Sequence, residues 1–232
     1  MYQVIPFKLQ LIFWVWIAAS VAILLNWATH LLSATDTLRY TVLVTNCLLF
    51  VLTLKPVWRF FWKKIPGLNN WFPDLNGEYD VELRHNWPIQ QRLLNAASGG
   101  SQFDPRSPNA DMPELGHTAL RASIDLGFYS VHVRMWSETP GESGSIIDHS
   151  RTLATSLLRP CDGLPARLSY IYQQKNRRER QAITDDSVFE GAAILEIQHG
   201  KKNELRGEYW TNRAWHQGLS TAGNISFKKR SS

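Results

Sequence analysis

Residues 9–32 read LQLIFWVWIAASVAILLNWATHLL and contain no Asp, Glu, Lys or Arg. As a helix rising 1.5 Å per residue the stretch is about 36 Å long, against a hydrocarbon core about 30 Å thick. A helix resting on the core of a soluble domain keeps a polar face, and this one has none. Trp14, Trp16 and Trp27 fall toward its ends, where indole rings anchor at headgroup level. The apolar core of a signal peptide is only about 7–15 residues, so the run is too long for a cleaved leader and reads as a membrane helix.

A second apolar run follows at once, Tyr40–Leu54, YTVLVTNCLLFVLTL. It is short for a span. It reaches full length by continuing through Val57, Trp58, Phe60, Phe61 and Trp62, with Lys55 and Arg59 snorkelling to the interface. Only Ser33–Leu38 separates the two runs, so a tight two-helix transmembrane hairpin is expected over 1–64. Lys8 lies before it and Lys55, Arg59, Lys63 and Lys64 after it, while Asp36 and Arg39 cancel in the turn. The positive-inside rule then puts both termini in the cytoplasm of a multi-pass inner-membrane protein.

The formal charge of +5 resides in this region. Residues 1–64 hold six Lys and Arg against one Asp, and residues 65–232 hold nineteen of each sign. A neutral second half gives no footprint for duplex DNA or RNA. Cys47 and Cys161 fall in different regions and do not pair. The seven histidines show no zinc spacing, and neither a Walker loop nor a G-x-G-x-x-G occurs. Gly141–Ser145 imitates a serine elbow, but it joins two strands rather than a strand and a helix. Catalytic residues, a metal and a cofactor are all expected to be absent.

After a linker over 65–76, with Trp71, Phe72 and Pro73 at the membrane surface and Gly77 turning the chain, period-two alternation takes over. Strands are expected at Glu78–Leu83, Thr118–Leu126, Tyr129–Ser137, Ser145–Leu158, Leu168–Gln173, Val188–Ile197, Glu204–Thr211 and Ala222–Lys228, with a bulge or bend at Gly191. A short helix at Ile89–Ala97 and a Ser/Gly/Pro-rich loop interrupt the series. Eight antiparallel strands in 77–232 point to a closed barrel, which abolishes edges, with a two-sheet sandwich as the alternative. Such a barrel has room for one small ligand.

The ligand candidates are polar and aromatic residues on or beside strands: Trp136, His149, Arg151, Tyr170, Tyr172, Tyr209, Thr211 and Arg213. Bases stack on aromatic rings and phosphates pair with Arg, so the set suits a nucleotide-like ligand. The basic loop Asn176–Arg180 either is solvated or steers an anion to the barrel mouth. In the membrane, Asn26 and Asn46 are expected at similar depths. Their carboxamides bond either within one hairpin or between subunits, driving self-association.

Several short stretches carry a family resemblance. They are Pro73–Tyr79, Trp136–Glu138 ahead of Ser143 and Ser145, Leu168–Tyr172, Phe189–Ala193 and Leu205–Arg213, in that order behind a membrane hairpin. The chain resembles the CD-NTase-associated protein 15 family, the two-transmembrane, β-strand-rich effectors of bacterial CBASS antiphage systems. The resemblance implies a non-enzymatic receptor and effector in one chain. Its barrel binds a cyclic dinucleotide or related cyclic oligonucleotide, the chains assemble into homo-oligomers, and the helices disrupt the bilayer in abortive infection. Other readings of the residues are a tethered lipocalin-like barrel for an apolar ligand and a scaffold docking a protein partner.

Overall fold

In the computed structural model, the described residues are 5, 7–28, 33–65, 72–137, 147–161, 163–177, 186–197 and 203–230. The chain divides into two compact units, residues 1–74 with 126–130, and residues 75–125 with 131–232.

The first unit opens with α1, Phe7–Ala28. Residues Phe7–Trp27 have a mean hydropathy of 2.0 and few of them are buried, so by length and composition α1 can cross a membrane. A second helix, α2, runs Ala34–Thr53 and packs on α1 where Val21 and Thr41 are buried. The expected turn at Ser33–Leu38 is instead the start of α2. Ser33 is the N-cap, its Oγ accepting from the Asp36 amide at 3.2 Å, and Asp36 sits favourably in the first turn.

The expected continuation of the second span through Trp62 is not one straight helix. The chain breaks at Leu54, which takes extended angles (φ −60°, ψ 130°), and α3, Lys55–Lys64, sets off at 78° to α2. Pro56 explains the break: it lacks an N–H, and its ring clashes with the carbonyl four residues back in a continuing helix. Its place in the first turn of α3 is where that missing donor does no harm. Trp58 and Trp62 are buried, 4.5 Å apart between ring centroids. Trp62 Nε1 donates to the Phe72 carbonyl at 3.0 Å, and Phe128 meets the Trp58 ring edge-on at 5.0 Å. Phe72 is therefore fully buried rather than at a membrane surface; Trp71 lies outside the described residues.

The second unit is a closed antiparallel barrel in which each strand pairs with the next and β8 returns to β1; the sandwich alternative is excluded. The strands are β1 Gly77–His85, β2 Gly116–Leu126, β3 Val131–Trp136, β4 Ile147–Leu158, β5 Arg167–Asn176, β6 Val188–Ile197, β7 Glu204–Thr211 and β8 Ala222–Lys229. Gly77 takes φ 146°, a conformation that opens β1 and that side chains resist. Between β1 and β2 lies α4, Trp87–Ala97, two residues longer at its start than the apolar pattern predicts. The end where β1 begins is called the near end below, and the end where it finishes at His85 the far end.

Two expectations need correction here. Tyr129 is not in β3 but in the turn before it, and is exposed. Gly191 neither bulges nor breaks β6, because the ladder runs unbroken through Tyr172, Gly191 and Thr211. The missing side chain leaves room for a ring: a Cβ on Gly191 would lie 2.5 Å from the Tyr172 phenol carbon. Real irregularity falls in β4, where register slips between Ile147 and His149 and again between Thr152 and Ala154. The second slip turns Leu153 outward, so Ser150 and Leu157 both face in despite opposite parity. At that place the Thr152 hydroxyl both accepts from the Val133 amide (2.7 Å) and donates to its carbonyl (2.8 Å), in place of a ladder pair.

Candidate functional site

The barrel interior changes character along its axis. At the near end Tyr79, Leu126, Leu168, Leu195, Leu205 and Phe227 are almost completely buried. Toward the far end the inward positions carry tyrosines, and beyond them amides and hydroxyls. Register sets the layers. Tyr170 pairs with Ala193, which pairs with Tyr209; one layer further, Tyr172 pairs with Gly191, which pairs with Thr211. Small residues between large ones let the rings fit a narrow barrel. The Tyr170 and Tyr172 rings lie 5.7 Å apart.

Burial dominates the chemistry of these phenols. It pushes Tyr170 and Tyr172 well above the ordinary phenol value, with the neighbouring Tyr170 and Tyr209 adding to the effect on Tyr172. Burial also pushes Tyr209 up to about 12, with Arg213 acting the other way. All three are neutral O–H groups at physiological pH, available as donors. Among the described residues the Tyr170 hydroxyl meets only the Met135 sulfur, at 3.9 Å, a weak acceptor.

The layer above is polar yet buried. Gln174 Nε2 donates to Asn176 Oδ1 at 3.2 Å, and the Thr211 and Thr221 hydroxyls lie 2.8 Å apart. Ser150 pairs in register with Met135 on one side and Gln174 on the other, is 2% exposed, and its hydroxyl has no hydrogen-bond partner among the described residues. Buried polar atoms are nearly always paired, so this hydroxyl is open to a further hydrogen bond. His85 Nδ1 and Gln90 Oε1 are likewise buried without a partner among the described residues. Burial, then Arg213 and His117, hold the His85 imidazole below its ordinary pKa and so neutral.

Arg213 stands on the rim, its guanidinium 5.2 Å from the centre of the Trp87 ring. Two devices place it. Asn212 extends the β6–β7 ladder, its amide donating to the Glu190 carbonyl and its Oδ1 accepting from the Glu190 amide. Ala214 then adopts a left-handed φ of 41°, unusual for a residue with a side chain, and its amide donates to Asp186 Oδ2 at 2.7 Å. Asn86 and Gln90 tie α4 to Ala222 and Ser220 on the same rim.

The sequence-derived set is thus divided. Tyr170, Tyr172, Tyr209 and Thr211 converge inside the barrel and Arg213 lies at its rim. Trp136, His149 and Arg151 are on the outer-facing register of β3 and β4; His149 contacts Asp148 and Arg151 donates to Gln173 Oε1 at 3.0 Å. Sequence reasoning passed over His85, Ser150, Gln174 and Asn176. Gln174 and Asn176 continue the inward parity of Leu168, Tyr170 and Tyr172, and the signal was lost by ending β5 at Gln173. Of the basic loop only Asn176 and Arg177 are described; Arg178, Glu179 and Arg180, like Glu138, Ser143 and Ser145 of the resemblance, lie outside the described residues.

A groove of about 500 Å³ also runs over the outer wall of β7, β8 and β1, past Glu82, Arg84, Arg206 and Asn224. Its charges are compensated locally, Arg84 lying 2.7 Å from Glu82 and Arg206 3.3 Å from Glu204. Among the described residues no group of three His, Cys, Asp or Glu is placed to hold a metal.

In the first unit Asn26 and Asn46 are both exposed. Asn26 sits two residues before the end of α1 and Asn46 twelve residues after the start of α2.

No family model matches the chain. The chain is similar to CD-NTase-associated protein 15 of Escherichia albertii, with 25% identity over 191 residues, covering 82% of this chain and 78% of that protein. The family resemblance read from the short stretches is borne out by that relative over most of the chain.

Proposed function

We propose that this chain is a CBASS effector, a membrane-anchored receptor without catalytic activity whose barrel binds a cyclic oligonucleotide at its far end. The observation that carries the reading is the buried Ser150 hydroxyl, without a partner among the described residues, in a polar layer beyond the neutral tyrosines, with Arg213 at the rim. Neutral donors and amides match base edges and ribose, aromatic rings stack on bases, and an arginine pairs with phosphate. The similarity to a CD-NTase-associated protein supports the choice of ligand class. The polar layer disfavours the lipocalin-like reading, because an apolar ligand would leave Ser150 and Gln174 unsatisfied.

In this reading α1 and α2 both span the inner membrane, α2 being 20 residues and about 30 Å long. Both termini face the cytoplasm, so a cytosolic messenger reaches the barrel. Asn26 and Asn46, both exposed, bond between copies and draw the helices into a homo-oligomer that perforates the bilayer. Binding has this effect only by favouring the assembled state over the resting one.

The test uses the full chain in detergent and in liposomes. A cyclic dinucleotide or trinucleotide at a hundred times its Kd raises stability by about 2.7 kcal/mol, and the same ligand triggers dye release. No thermal shift with any cyclic oligonucleotide, or release indifferent to ligand, rejects the proposal. A reporter fusion placing the C-terminus outside the cytoplasm rejects the topology.

A further inference from the structure

We propose that α3 is an interfacial helix that lies flat on the bilayer and binds its anionic headgroups. The inference rests on the reading of α1 and α2 as membrane spans and goes beyond it by giving α3 an orientation and a lipid ligand.

Direction is the first argument. Helix α3 leaves α2 through the single residue Leu54 at 78°. If α2 stands within about 20° of the membrane normal, as spans commonly do, α3 runs close to the membrane plane, at the level where α2 emerges.

The second argument is the division of its faces. At 100° per residue Trp58 and Trp62 share one side, and both are buried, Trp62 against the Phe72 carbonyl and Trp58 against Phe128. The opposite side carries Phe60 and Lys64, and Phe61 lies on the flank between, with Phe60 58% exposed and Phe61 39%. Adjacent exposed phenylalanines on a helix already anchored by two tryptophans fit insertion into the headgroup boundary.

Charge is the third. The sequence KPVWRFFWKK has four cations and no carboxylate. Asp74 approaches Arg59 at 3.6 Å and Lys63 at 3.9 Å, and the helix itself carries four cations uncountered by any acid of its own. Flanking inserted rings with such charge is how interfacial helices hold an anionic leaflet.

The experiment labels the full chain in vesicles. In a Cys47→Ser, Cys161→Ser background, Phe60→Cys carries an environment-sensitive fluorophore, and Phe61→Cys is a second position in case the first disturbs folding. Leu24→Cys on α1 is the reference. Vesicles contain phosphatidylglycerol or only phosphatidylcholine, with spin labels shallow or deep in the acyl chains, and iodide reports water. The label at 60 or 61 is expected to be quenched by the shallow label and protected from iodide in anionic vesicles, while the label at 24 is quenched by the deep one. Lys64→Gln lowers the ratio of lipid-protected to iodide-accessible label about fivefold in anionic vesicles and leaves it unchanged in neutral ones. Iodide access at both 60 and 61 with deep quenching at 24 overturns the interfacial helix alone. Shallow quenching at 60 without deep quenching at 24 removes the spanning reading and keeps the interfacial helix.

Discussion

At the near end of the barrel the inward positions hold Leu157, Leu168, Leu195, Leu205 and Phe227; at the far end β4, β5 and β7 turn inward Gln174, Asn176, Thr211 and Ser150, the last without a partner among the described residues. The two ends share a backbone and differ only in what it carries. Close-packed apolar side chains lose stability when trimmed, whereas a bare buried hydroxyl is a debit until something bonds it. On the proposed function, the contrast separates a half that holds the fold from a half that would receive the ligand.

The most severe way to break the contrast is Phe227→Ala at the near end, expected to remove about 3–5 kcal/mol and to lower the denaturation midpoint followed by tryptophan fluorescence. Ligand-free and ligand-bound protein should lose alike. Alkali comes next. The tyrosines' folded pKa values are raised, so their contribution is complete below the unfolded value near 10 and disappears as pH rises through about 12 for Tyr209. Stability should fall there by about 1.4 kcal/mol per pH unit for each such group. The phenolate absorbance change should accompany unfolding; ionisation well ahead of it would contradict the burial.

Gly191→Ala tests the fit of the tyrosine layer. The new methyl meets the Tyr172 ring and, at 2.8 Å, the Trp210 carbonyl, so a loss of about 1–3 kcal/mol is expected, together with weaker ligand binding in calorimetry. Ser150→Ala should go the other way in ligand-free protein, a gain of about 1 kcal/mol from deleting an unpaired hydroxyl, with loss of affinity. Destabilisation by that change would mean that the hydroxyl already has a partner. Smallest is Arg151→Ala on the outer wall, within about 0.5 kcal/mol in stability and without effect on affinity. A tenfold loss of affinity would relocate the site to the β3–β4 exterior.

Much of this was legible in the residues. Strands β6 and β7 match their alternation to the residue, because each has one face on the core and one in water. Tyr170, Tyr172, Tyr209 and Thr211 come together inside the barrel because they share that inward parity. The outward place of His149 and Arg151 was not legible, because parity alone does not say which face is inside when both alternating sets are polar, as in β4. There Asp148, Ser150 and Thr152 look no more buried than His149 and Arg151. The helical break after Leu54 was hidden by an apolar run that continues through it, although Pro56 carried the physical warning.

By itself the sequence determined a charge-free N-terminal helix, a neutral second half, eight strands and their order, since these follow from hydropathy and local period. Only the tertiary structure decided which β4 residues face inward, that α3 turns away from α2, and that Ser150 is left without a partner among the described residues. Each of these depends on register and on neighbours distant in the chain, and no local pattern encodes them.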